Sequence, residues 1–63
     1  MTATERAHVL AWMQNYAEDH VDPKTGELNY TGLVEDWDNC CSTGDATLDP
    51  DHPAWEIALL VAE

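Results

Sequence analysis

Cys40 and Cys41 stand side by side and are the only two cysteines of the chain, which also has three histidines, His8, His20 and His52, and thirteen acidic residues. Thiolate and imidazole are the usual donors of structural zinc, so Cys40, Cys41 and His52 are the first ligand set to weigh. Their spacing fits poorly. Structural zinc sites favour C-x2-C pairs and four ligands, and adjacent residues of a helix diverge by about 100°. A disulfide between neighbours would close a strained ring and constrain essentially no loop. A small metal-binding protein is therefore the alternative reading; the leading one has both cysteines extending an inward apolar face, as free cysteine commonly does.

Two acidic clusters around histidine, EDHVD (18–22) and DPDHP (49–53), offer oxygen ligands to a cation. Calcium loops need alternating carboxylates, a central glycine and a closing glutamate, and neither cluster has that register. Both lie where helix ends are expected, so their aspartates read most simply as caps. No cofactor is implied. Ser42 is the only serine, without the turn of a nucleophile elbow around it. A chain of 63 residues also has little room for a pocket with supporting side chains, and an enzyme is not expected.

The net charge of −11 is the most informative number, because Arg6 and Lys24 are the only basic residues. Nine carboxylates follow from Glu27 to Glu63 with no lysine or arginine after Lys24. Such a field repels nucleic acid and anionic membranes and attracts basic proteins. Glu35, Asp36 and Asp38 on one helix, with Asp45, Asp49 and Asp51 after it, form the candidate partner-binding face. Helical carboxylates three or four residues apart lie about 5–6 Å from each other, comparable to phosphate spacing, so mimicry of DNA is the extreme form of this reading. A solvated face that confers solubility is the plain one.

These residues need elements to hold them. Thr2 and Glu5 make a capping box, and Val9, Leu10, Met13, Tyr16, Ala17 and His20 recur at helical spacing, predicting a helix over 3–20 that ends before Pro23. DPKTGEL (22–28) has turn chemistry, followed by a short extended piece at 27–29. With Asn29 as N-cap, Tyr30, Leu33, Val34, Trp37, Cys40 and Cys41 give the cleanest stripe in the chain and predict a helix over 30–42. Gly32 weakens its start, and Gly44 suits a C-terminal cap. The stretch 42–52 reads as irregular, anchored by Leu48. Asp49 or Asp51 then caps a helix over 53–63, with Pro53 in its first turn. Trp55, Ala58, Leu59 and Ala62 form one stripe of that helix, widened by Ile57, Leu60 and Val61, so part of its surface is left for a partner or a second copy.

The expected fold is all-α: one domain of three short helices around Val9, Leu10, Met13, Tyr16, Leu33, Val34, Trp37, Ala58 and Leu59. Trp12 and Trp55 fall at stripe edges. The helix count resembles a helix-turn-helix domain, but a recognition helix carrying Glu35, Asp36 and Asp38 would be repelled from a DNA groove. No apolar run approaches a membrane span, and the N-terminus lacks the pattern of a secretory signal, so the expected location is the cytoplasm, where thiols stay reduced. The functional expectation is a small regulator, of the kind phages or plasmids carry, that binds a basic or nucleic-acid-binding protein. The alternatives are metal binding through Cys40, Cys41 and His52, and a structural domain or homodimer joined through the last helix.

Overall fold

Thr2 starts the first helix by accepting a hydrogen bond from the backbone N–H of Glu5 at 3.1 Å, the Thr2 half of the expected capping box. In the computed structural model, which describes residues 1–41 and 44–63, this helix, α1, spans Ala3–Tyr16. The chain then tightens into a 3-10 turn over Ala17–His20. A hairpin-like loop follows: Val21 and Leu28 form an antiparallel bridge, and Asn29 donates to the His20 carbonyl at 2.7 Å. Gly26, at φ +73°, makes the reversal.

α2 spans Tyr30–Cys41. Asn29 caps it as expected, its side-chain oxygen accepting from Gly32 N–H at 3.1 Å. A Cβ on Gly32 would stand 2.8 Å from the Asn29 amide nitrogen, so the glycine that lowers helix propensity also makes room for the cap. α3, Asp45–Leu48, is a single turn inside the stretch expected to be irregular, and α4 spans Pro53–Ala62. The all-α expectation holds, with a short fourth helix added to the three. Ser42, the expected last residue of the second helix, lies outside the described residues.

α4 packs against both α1 and α2. The buried core is Val9 and Met13 from α1, Leu33, Val34 and Trp37 from α2, Ala46 from α3, and Ala54, Ile57 and Ala58 from α4. Two expected core residues, Tyr16 and Leu59, are exposed. Tyr16 is 41% exposed, because α1 ends there and its ring packs on Trp12 with centroids 4.5 Å apart. Leu59 is 49% exposed, because α4 turns inward the stripe of Ala54, Ile57, Ala58 and Val61, whose two alanines leave room for its neighbours. Leu10 is half-buried against the core, as are Trp12 and Trp55.

Leu48 does not anchor its segment, being 86% exposed. Ala46 takes that role, and the Trp55 indole N–H donates to the carbonyls of Ala46 at 2.8 Å and Asp49 at 3.1 Å. Nor do Asp49 and Asp51 cap α4. Asp49 accepts from Asp51 N–H at 3.0 Å within its own turn, and the cap is His52, whose Nδ1 accepts from Ala54 N–H at 3.1 Å. Pro53 occupies the first turn, where its missing N–H costs nothing.

Candidate functional site

Of the six carboxylates expected on one face, five are exposed: Glu35, Asp36, Asp45, Asp49 and Asp51. Asp38 is the correction. Its side chain is fully buried and accepts from Ala46 N–H at 3.4 Å, Thr47 N–H at 2.9 Å and the Thr47 hydroxyl. The free amides at the start of a helix need acceptors, and Gly44, which precedes α3 at φ +92°, has no side chain to supply one. Asp38 reaches across from α2 and supplies it, leaving the outer surface to the others. Glu35 and Asp36 diverge by about 100° around α2, so the exposed five spread over more than one face.

Asp36 also has a role that its surroundings in sequence do not announce. Its Oδ2 lies 2.5 Å from His20 Nε2, and the other ring nitrogen of His20, Nδ1, lies 2.9 Å from the Tyr16 carbonyl. Both neighbours are acceptors, so both ring nitrogens donate only when the imidazole is protonated. The Tyr16 carbonyl first, and then the Asp36 carboxylate, hold the His20 pKa above its ordinary value. The pair joins the 3-10 turn after α1 to α2.

An open groove of about 430 Å³ runs between the first half of α1, the end of α2 and the residue that caps α4. Val9, Trp12 and Trp37 give it apolar walls, and Glu5, Asp45 and the two histidines His8 and His52 supply its polar lining. The Trp37 and His52 rings are 5.9 Å apart, centroid to centroid. Met1 also lines the groove, and none of the lining side chains is that of a lysine or arginine. Sequence reasoning missed this groove, because Glu5 and His8 sit one turn apart on α1 whereas their companions come from the other half of the chain.

Cys40 and Cys41 are both exposed, not buried filler. At 100° per residue Cys41 continues the inward direction of Leu33, Val34 and Trp37, yet it is exposed. Cys41 lines the groove beside Trp37, whereas Cys40 lines a separate hollow with Tyr16, His20 and Asp36. The Cys40 thiol, foremost through a hydrogen bond, pushes the Cys41 pKa up. Cys40, Cys41 and His52 are not drawn together as ligands. Among the described residues no three His, Cys, Asp or Glu side chains are grouped to hold a metal ion. Outside the groove, Glu56, Leu59 and Leu60 lie on the exposed side of α4, with Leu59 and Leu60 each about half exposed. No helix among the described residues is long and apolar enough to cross a membrane.

Fold and surface together define a small all-α domain with a strongly acidic exterior and an open groove lined by Trp12 and Trp37. No family model, no curated protein and no solved structure matches the chain.

Proposed function

We propose that this domain is a non-enzymatic regulator that binds a basic protein, such as a nucleic-acid-binding one, in the cytoplasm. One observation carries the reading: every acidic side chain except Asp38 is exposed, while the two basic residues offer little to offset them. Arg6 is drawn to Glu56 at 3.7 Å, and Lys24 belongs to the turn after Asp22. Exposed charge of one sign steers partners of the opposite sign and repels its own kind. Mimicry of DNA is a narrower form of the proposal, tested by whether duplex DNA competes for the partner.

The test is capture from native lysate at low salt, comparing the natural chain with one carrying Glu35→Gln, Asp36→Asn, Asp45→Asn, Asp49→Asn and Asp51→Asn. A basic partner held by the first, lost by the second and released as ionic strength rises is the expected result. Equal retention by both chains would overturn the proposal.

A homodimer through α4 is a second reading, favoured by the exposed pair Leu59 and Leu60. Its salt dependence has the opposite sign. Two copies of a −11 chain repel each other, so salt should strengthen self-association while weakening the hold on a basic partner. Sedimentation at two salt concentrations separates the two.

A further inference from the structure

We propose that His52 is an acid-released cap: proton uptake by its imidazole takes away the acceptor that starts α4 and loosens the corner where α3 meets α4. The device works whether or not a partner is bound. Pro53, the first residue of α4, has no N–H, so Ala54 carries the first amide of the helix that needs an acceptor. His52 Nδ1 accepts from it at 3.1 Å. Ala54 is fully buried, so solvent reaches that amide only if the turn opens. A ring nitrogen accepts only while it carries no proton, which fixes neutral His52 as the tautomer protonated at Nε2. The imidazolium carries a proton on both nitrogens. It sets a donor against the Ala54 N–H, and a positive charge against the positive end of the α4 dipole.

Groups from each neighbouring element set where the ring titrates. Met1 with its α-amino group, Glu5 and His8 come from the start of the chain and α1, Cys41 from the end of α2 and Asp45 from α3, all lining the groove that His52 shares. The Trp37 ring lies 5.9 Å away, centroid to centroid. Asp49 and Asp51 precede His52 in its own loop, and Glu56 follows in the first turn of α4. The carboxylates and the Trp37 ring favour proton uptake, whereas the Met1 ammonium and a charged His8 oppose it. None of them changes the chemistry at Nδ1, which cannot accept once protonated. Around the cap, the Trp55 backbone N–H goes to the His52 carbonyl at 3.1 Å, and its indole N–H goes to the carbonyls of Ala46 and Asp49. The corner so held carries Asp45, Asp49 and Asp51. Its response to acid has the opposite sign to that of His20, whose two acceptors call for a protonated ring. The stability that the His52 cap supplies is complete while the ring is neutral and is lost as pH falls through its titration.

Two measurements on the full chain test this. Long-range proton–nitrogen NMR of the 15N-labelled natural chain at about pH 7.5 reads the tautomer of His52, and the expected result is a bare Nδ1 with the proton on Nε2. Urea denaturation of the natural chain and of His52→Asn, at about pH 7.5 and again at about pH 5, reads the cap, because asparagine caps a helix without titrating. The unfolding equilibrium constant of the natural chain, divided by that of His52→Asn, should rise about fivefold as the pH falls, the equivalent of about 1 kcal/mol. His20 and the carboxylates are common to both chains, so their own titrations cancel in that ratio. A proton on Nδ1 at about pH 7.5 would overturn the proposal, whatever the variant does. So would a ratio that stays level, or one that falls because the carboxylates around the groove hold the charged ring more strongly than the cap holds the neutral one.

Discussion

Asp38 and Thr47 are joined twice, the carboxyl of the first accepting from both the backbone N–H and the hydroxyl of the second. The bond spans nine residues of sequence and ties the middle of α2 to the start of α3. Replacing Asp38 with alanine takes the side-chain acceptor away from the Ala46 and Thr47 amides. A loss of about 2–4 kcal/mol is expected. A domain of this size has a total of about 3–9 kcal/mol to lose, so the melting temperature should fall by ten degrees or more, roughly. Asp38→Asn should also destabilise, since its amide turns a donor toward donors. Thermal unfolding by circular dichroism measures both, and a change within about 0.5 kcal/mol for Asp38→Ala would show that the bond is not formed.

The His20–Asp36 pair makes stability depend on pH with a definite sign. The folded state holds the His20 pKa above its ordinary 6.5. Its contribution is therefore complete below about pH 6.5 and disappears as pH rises through the raised value. Asp36 is largely exposed, so screening keeps the effect under about 1 kcal/mol. Melting temperatures taken from pH 5.5 to 8.5 should drift down for the natural chain relative to Asp36→Asn. Parallel curves would count against the pair.

Two glycines should respond differently to alanine. Gly44 sits at φ +92° with open space where a Cβ would go, so the cost is of backbone alone, about 1–2 kcal/mol, and asparagine should cost less. Gly32 is helical, and alanine there gains about 1 kcal/mol of propensity while crowding the Asn29 cap, worth a similar amount. Gly32→Ala should thus be close to neutral. Urea denaturation of both variants checks the contrast.

His52 caps α4 with an imidazole nitrogen, a role that asparagine fills well. His52→Ala should destabilise by about 1 kcal/mol, and His52→Asn should recover most of it. If both lose equally, the ring packing on Trp37 matters more than the cap.

Exposure of both thiols predicts that iodoacetamide modifies Cys40 and Cys41 in the folded protein, without denaturant. Cys41 should react more slowly than a free cysteine, because its raised pKa leaves less thiolate. Mass spectrometry of the digested product reads both rates. Protection of the two until unfolding would restore the buried arrangement expected from the helical stripe.

The helix starts and most of the first two cores were legible because their causes are local. Thr2 with Glu5, Asn29 before Tyr30, and Pro53 in a first turn each act within three or four residues. Val9, Met13, Leu33, Val34 and Trp37 followed from the same short periodicity. The candidate acidic residues were readable as residues, though whether they share a face was not. Asp38 looks like its neighbours Glu35 and Asp36 in sequence, and only the amides of α3 set it apart.

The amino-acid sequence by itself determined the helical class, the caps of α1 and α2, and an exterior dominated by one sign of charge, since these depend on near neighbours and on composition. Tertiary structure decided which stripe of α4 turned inward, that Asp38 went inside while Cys40 and Cys41 stayed out, and that His20 met Asp36 across sixteen positions. The physical reason is that burial belongs to whatever covers a position. In a 63-residue chain, what covers the end of α2 is settled by where α3 and α4 pack, and no local pattern at Cys40 or Cys41 encodes that.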